Sequence, residues 1–266
     1  AVVYVVVDDR RSGSGAAAGS CRLAIVDLSR SAVAGAHAAC APGEQPTGLA
    51  LGTNPGAGTV AFLGLWRPAA VGAPETARLV ALDARDGRLR GAHALDAGAA
   101  TGPLALAADP GGRRRLYAVG AALDSTPRPL DDFGQRFAEA TDWRLLEFHP
   151  DGLAPAGEYA LRYGAAGLTV PPDGREAYAV GRGGPGGTLL QRIDLTTGAV
   201  AVLGLMPGGT AAGAAVVVAH NRLYLPDTWG DRLWVVDRAG RPLGTVSTGR
   251  RPLGLAVGAA PVGARR

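Results

Sequence analysis

One strand–turn–strand unit recurs five times along this chain, and that repetition limits the fold more than any other feature. An apolar run ending in Asp returns as Leu23-Ala-Ile-Val-Asp27, Leu79-Val-Ala-Leu-Asp83, Leu190-Gln-Arg-Ile-Asp194 and Leu233-Trp-Val-Val-Asp237. A fifth copy, Leu145-Leu-Glu-Phe-His149, has His in place of Asp. Short turns follow, such as Asp83-Ala-Arg-Asp-Gly87 and Asp237-Arg-Ala-Gly240. In these turns Gly supplies positive φ and Asp bonds nearby backbone amides, so each run and the apolar segment after it form a hairpin.

A second element, rich in small residues, also occurs five times: Thr47-Gly-Leu-Ala-Leu51, Gly102-Pro-Leu-Ala-Leu-Ala107, Ala166-Gly-Leu-Thr-Val170, Ala214-Ala-Val-Val-Val218 and Pro252-Leu-Gly-Leu-Ala-Val257. Turn residues and a strand such as Leu116-Tyr-Ala-Val119 or Ala177-Tyr-Ala-Val180 come next. The unit is therefore four strands, and 266 residues over five units gives about 53 each, the size of a propeller blade. The expected fold is all-β, a single β-propeller of about five four-stranded antiparallel blades closed by pairing of the N- and C-terminal strands. Small side chains suit the first strand of each blade, where strands converge on a narrow channel. One blade is shared by 1–40 and 252–257; the others lie at about 47–96, 102–161, 165–205 and 213–248, with a long loop insertion at 121–142. Closure leaves no open sheet edge; a β-sandwich is the alternative fold.

Composition agrees with many short strands. Gly 41 and Pro 19 fall between apolar runs as turn punctuation, and 47% hydrophobic against 19% charged residues suits a folded globule. The net charge is +4, carried entirely by Arg, since the sequence has no Lys; such usage is associated with GC-rich, thermophilic sources. The arginines are scattered along the chain, the densest group being Arg113-Arg114-Arg115 in an expected strand-connecting turn, so the charge pattern argues against nucleic-acid binding. No apolar run reaches the roughly 20 residues of a membrane-spanning helix. The chain begins with Ala, from which removal of a leading segment is expected.

Cys21 and Cys40 are the two cysteines. A regular hairpin turning at Arg30 and Ser31 places them opposite one another, within disulfide reach. A bridge implies an oxidising compartment, hence an extracellular, cell-surface or periplasmic protein.

Loops at one end of the blades should surround the channel mouth, where variable loops on a rigid frame bind ligands. Asp8, Asp9, Arg67, Asp131, Asp132, Arg182, Asp227, Trp229 and Asp231 are the candidate ligand-binding residues there, with Glu44 beside them. Asp8 and Asp227 occupy matching repeat positions. No cofactor motif is present; the one cofactor that carboxylates at a mouth would suit is calcium, through oxygen ligands. In the 121–142 insertion, Phe133 and Phe137 are spaced for one face of a short helix. His37 and His93 lie in matching Gly-Ala-His-Ala strings and read as a repeated structural position, and no catalytic constellation emerges.

Strings such as Leu233-Trp-Val-Val-Asp237 followed by Gly244-Thr-Val-Ser-Thr-Gly-Arg-Arg-Pro-Leu-Gly-Leu-Ala-Val257, and Pro46-Thr-Gly-Leu-Ala-Leu51, resemble the YVTN-type propeller repeat, related to the NHL and WD40-like groups. The resemblance implies a secreted or surface protein with a binding role; relatives serve as lactonases or as subunits of redox enzymes. The expected function is a non-catalytic module for protein or ligand binding, or for assembly, with a protein or glycan partner. The alternative is a lactonase-like metal-dependent hydrolase or an exported redox-complex subunit.

Overall fold

The computed structural model describes residues 2–8, 21–27, 29–54, 58–68, 75–96, 99–109, 111–123, 140–182, 187–207, 217–219, 221–227 and 230–249. Every regular element among them is a β-strand. The first sheet holds β1 (Val2–Asp8), β2 (Cys21–Asp27) and β3 (Ala32–Ala38). The second holds β4 (Gln45–Asn54), β5 (Gly58–Arg67), β6 (Thr76–Asp83) and β7 (Leu89–Ala94). The third holds β8 (Ala99–Ala108), β9 (Arg114–Ala122), β10 (Thr141–Phe148) and β11 (Pro155–Ala160). The fourth is β12 (Gly167–Thr169), β13 (Glu176–Arg182), β14 (Gly187–Asp194) and β15 (Val200–Pro207). The fifth is β16 (Val217–Ala219), β17 (Arg222–Asp227), β18 (Arg232–Asp237) and β19 (Pro242–Ser247).

Each sheet is an antiparallel meander in chain order, and the five are the blades of a five-bladed β-propeller. The expected partner of the N-terminal strand, 252–257, lies outside the described residues. Contacts divide the chain into two compact units, Ala1–Gly164 and Ala165–Arg266. No described helix is long and apolar enough to cross a membrane.

The cores sit between sheet faces. In the first unit, alternate residues of β5 serve opposite faces: Val60 and Phe62 pack with Leu79, Leu116 and Phe148, while Ala61, Leu63 and Leu65 pack with Cys21, Leu23 and Val80. Burial on both faces is why the inner strands read as unbroken apolar runs. In the second unit Tyr178, Val180 and Leu190 pack against Leu223, Leu225 and Val236. The outer strands β7 and β11 are mostly exposed. The first strands approach closely where glycine permits: a Cβ on Gly48 of β4 would collide with the carbonyl of Gly102 in β8.

Repeat aspartates hold the turns. Oδ1 of Asp83 accepts from the Arg85 amide (2.9 Å), that of Asp194 from the amides of Thr196 and Thr197 (2.8 and 2.9 Å), and that of Asp237 from those of Ala239 and Arg241 (2.9 Å each). These amides hold the Asp194 and Asp237 carboxyls below the usual carboxylate range. Gly87, Gly198 and Gly240 then turn at φ 72°, 75° and 82°.

The disulfide Cys21–Cys40 is present, with Cα atoms 5.1 Å apart, but the ladder reaches it by a different register from the one expected. The turn pairs Asp27 with Ala32, and a bulge between Ile25 and Val26 advances β3 by one residue. The Cys21 carbonyl then accepts from both Ala39 (2.9 Å) and Cys40 (3.4 Å), which supplies the second step. Similar register shifts interrupt the corresponding hairpin of every sheet.

Two expectations change. Arg114 and Arg115 belong to β9, leaving Arg113 in the turn, and Arg115 is buried between Asp109 (3.4 Å) and Glu147 (2.7 Å). The ends of the 121–142 insertion are strand, since β9 runs to Ala122 and β10 starts at Thr141.

Candidate functional site

Strands β1, β5, β13 and β17 each end on a charged residue: Asp8, Arg67, Arg182 and Asp227. For Asp8 and Arg182 the backbone alone is described. Arg67 is exposed, 3.8 Å from Glu44. Glu44 is itself buried and held by Arg78 through two hydrogen bonds of 2.8 Å and by the Ala41 amide at 2.7 Å. Burial alone would raise the Glu44 pKa, yet these donors outweigh it and hold the carboxyl below its ordinary range.

The Asp227 side chain is fully enclosed; its Oδ1 accepts from the Gly230 amide (2.8 Å) and its Oδ2 from Arg232 Nε (2.9 Å). The Arg232 guanidinium lies 4.7 Å from the Trp234 ring centre. A Cβ at Gly230 would strike the Asp227 carboxylate, so the turn needs glycine there. Asp231 takes a left-handed φ of 51°, and its carbonyl accepts from the Thr248 amide (2.9 Å). Asp9, Asp131, Asp132 and Trp229, together with Phe133 and Phe137, lie outside the described residues. Arg67 and Glu44 meet in the first unit and Asp227 and Asp231 share one turn in the second; among the described residues no three His, Cys, Asp or Glu side chains converge as metal ligands would.

A different feature of the first unit has the form of a site. A cleft of about 790 Å³ opens between the end of β7 and the sheet β8–β11. That volume lies within the range of small-molecule sites. Leu95, Leu123 and Leu146 provide apolar wall, Leu146 lying across Gly120, and Ala122 and Gly157 add little side chain to fill the space. At one end the His93 ring packs against Phe148 with the planes inclined by 59° and the centres 5.3 Å apart.

Four carboxylates, Asp96, Asp142, Glu147 and Glu158, line the cleft beside one guanidinium, Arg144. Arg144 donates to Asp142 (2.7 Å) and to both oxygens of Glu158 (2.9 and 3.0 Å), contacts that raise its pKa further above the usual arginine range. Glu147 accepts from Tyr159 Oη (2.8 Å) and pairs with Arg115.

Sequence reasoning missed this cleft. Asp142 and Glu158 are ordinary surface carboxylates in the sequence; Asp142 reaches Arg144 from two positions away on β10, and Glu158 is brought to it by the ladder in which Arg144 stands opposite Ala160 on β11. No local signal marks that meeting.

No protein-family model matches the chain, and no curated protein matches it. Solved structures share its fold. One is a functionally unknown protein from Desulfotomaculum acetoxidans (TM-score 0.56, 11% identity, covering 89% of this chain and 66% of that one). Another is glucose dehydrogenase (TM-score 0.54, 13% identity, 94% and 90% covered). A third is hydrazine synthase from Kuenenia stuttgartiensis (TM-score 0.51, 12% identity, 88% and 85% covered). The chain thus spans 66% of the length of the first of these. At such identities the likeness is one of fold alone.

Proposed function

We propose that this chain is a non-catalytic binding module, a YVTN-type propeller of an oxidising compartment, whose ligand seat is the cleft between β7 and the sheet β8–β11. The observation that carries this reading is the contrast between two sets of charges. At the strand ends, Glu44 and Asp227 are buried and committed to Arg78 and Arg232. At the cleft, Asp142 and Glu158 stand at the rim of an apolar-walled space, each side chain 58% exposed. Enclosed, hydrogen-bonded carboxylates stabilise turns, whereas a concave apolar surface with a few rim charges is what small ligands occupy. The Cys21–Cys40 bridge supports an extracellular or periplasmic setting. Asp227 gives calcium little purchase, because its carboxylate is fully enclosed and already paired with Arg232.

The test is a ligand screen by thermal shift on the folded chain and on Ala156→Trp, a substitution at an exposed cleft-lining position of β11. Ligands that raise the melting temperature of the parent and leave the variant unmoved support the reading. Turnover of a lactone or of a redox dye by the parent chain overturns it.

A further inference from the structure

We infer that the cleft takes a small organic cation with an apolar body, of the arylalkylammonium class, an assignment that rests on the binding-module reading. Of the four carboxylates in its lining Glu147 is paired with Arg115, which leaves Asp96, Asp142 and Glu158 to the one guanidinium of Arg144, on a chain whose net charge is +4. The negative character is therefore local and opposes the overall field, so general electrostatic attraction does not bring a cation here. Arg144 spends donors of both terminal nitrogens on Asp142 and Glu158, so an anion would have to compete with these two carboxylates for the guanidinium. The two rim carboxylates keep acceptor capacity, since an ionised carboxylate offers about four lone-pair sites. Glu158 spends one contact per oxygen on Arg144, and Asp142 spends Oδ2. An ammonium brings three donors and no acceptor, which matches this rim. Below it, Leu95, Leu123 and Leu146 offer an apolar surface that the small residues Ala122 and Gly157 leave accessible, and an aryl or alkyl body would desolvate it. A neutral ligand would use the wall and not the rim; an inorganic cation would use the rim and not the wall.

The probes are phenethylamine, its neutral counterpart phenethyl alcohol, and 3-phenylpropanoate, titrated by calorimetry or NMR into the full chain at low salt. Ligands of this size bind in the millimolar range. The amine is expected to bind roughly tenfold more tightly than the alcohol, the yield of two half-exposed charge contacts, with the carboxylate weaker still. The double variant Asp142→Asn/Glu158→Gln should bring the amine down to the affinity of the alcohol, and Ala156→Trp should abolish binding of both. Circular dichroism and urea midpoints confirm that the variants fold.

Equal or tighter binding of the alcohol or the carboxylate overturns the cation assignment. If Ala156→Trp still removes that binding, the binding-module reading survives without it. Amine binding that persists in both variants, or no binding of any probe up to about 10 mM, overturns the assignment as well. Failure of the module reading itself would show separately, as turnover.

Discussion

Reducing the Cys21–Cys40 bridge should cost the folded chain about 3 kcal/mol. The two cysteines are 19 positions apart, and freeing a loop of that size restores unfolded-state entropy worth about 3 kcal/mol at room temperature. The native side changes less, because the β2–β3 ladder pairs from Arg22 to Asp27 without the bridge and Cys21 stays enclosed by Leu23, Leu63 and their neighbours. Urea unfolding of one preparation with and without reductant measures the difference directly. The double substitution Cys21→Ala/Cys40→Ala is a poorer test, since it adds a cavity term to the entropy. For a chain of this size the loss corresponds to a fall of roughly 6–12 °C in melting temperature. If the units Ala1–Gly164 and Ala165–Arg266 unfold in separate transitions, the one belonging to the first should move and the other stay. An unchanged midpoint on reduction refutes the reasoning, because the unfolded chain would then be as restricted without the bond as with it.

Three further outcomes follow from local geometry. Gly64→Ala places a methyl 2.5 Å from Thr47 Oγ1 and 2.8 Å from Thr101 Oγ1, so it should destabilise by about 1–3 kcal/mol in urea titration; a neutral result would mean the strands part easily. Thr101 is fully buried and its hydroxyl has no partner among the described residues, so Thr101→Val should be neutral or stabilise by up to about 1 kcal/mol, and a loss larger than that would reveal an unseen bond. Glu44 is held below its ordinary value of 4.5 by Arg78 and the Ala41 amide against the opposing effect of burial, and Asp83 below 3.8 by Arg90 first and the Arg85 amide next. Depressed folded-state values mean that the unfolded chain takes up protons first on acidification. The stability these groups contribute is therefore intact above those values and lost as pH falls below them. A urea midpoint that rises on acidification below about pH 4 would contradict this assignment.

What the sequence disclosed and what it hid differ by the range of the interactions. The repeat was legible because turn chemistry is local: Asp194 bonds amides two and three positions on, and Gly198 turns four positions on, so the signature is contiguous. The disulfide was legible as proximity but not as register, since a bulge between Ile25 and Val26 leaves no compositional mark. Arg115 read as part of a turn because its neighbours are arginines, yet its partners Asp109 and Glu147 come from either side of β9. The cleft was hidden for the same reason. Its wall comes from five strands, and Gly120, Ala122 and Gly157 read as ordinary small residues of blades.

The two Gly-Ala-His-Ala strings show how such a cleft arises from a repeat. His37, in β3, lies over Gly87 at the end of the next hairpin turn, and a Cβ on that glycine would collide with the ring. Leu203, in β15, sits over Gly240 of the following blade in the same manner, 2.6 Å from where its Cβ would stand. An outer-strand side chain of one blade thus caps the left-handed glycine of the next. His93 has the place in β7 that His37 has in β3, but the glycine of the turn beneath it, His149-Pro-Asp-Gly152, has no side chain over it. There the backbone of Gly152 comes to 3.4 Å from the Cβ position of Gly91, and His93 packs against Phe148 instead. The side chain that closes the seam elsewhere is drawn to one end of it, and the remaining length, lined by Ala94, Ala122 and Gly157, stays open as the cleft. What differs is where the next turn's glycine falls beneath the outer strand, Gly87 against the His37 ring but Gly152 against the backbone of Gly91, and the string alone, identical in both blades, could not distinguish the two outcomes.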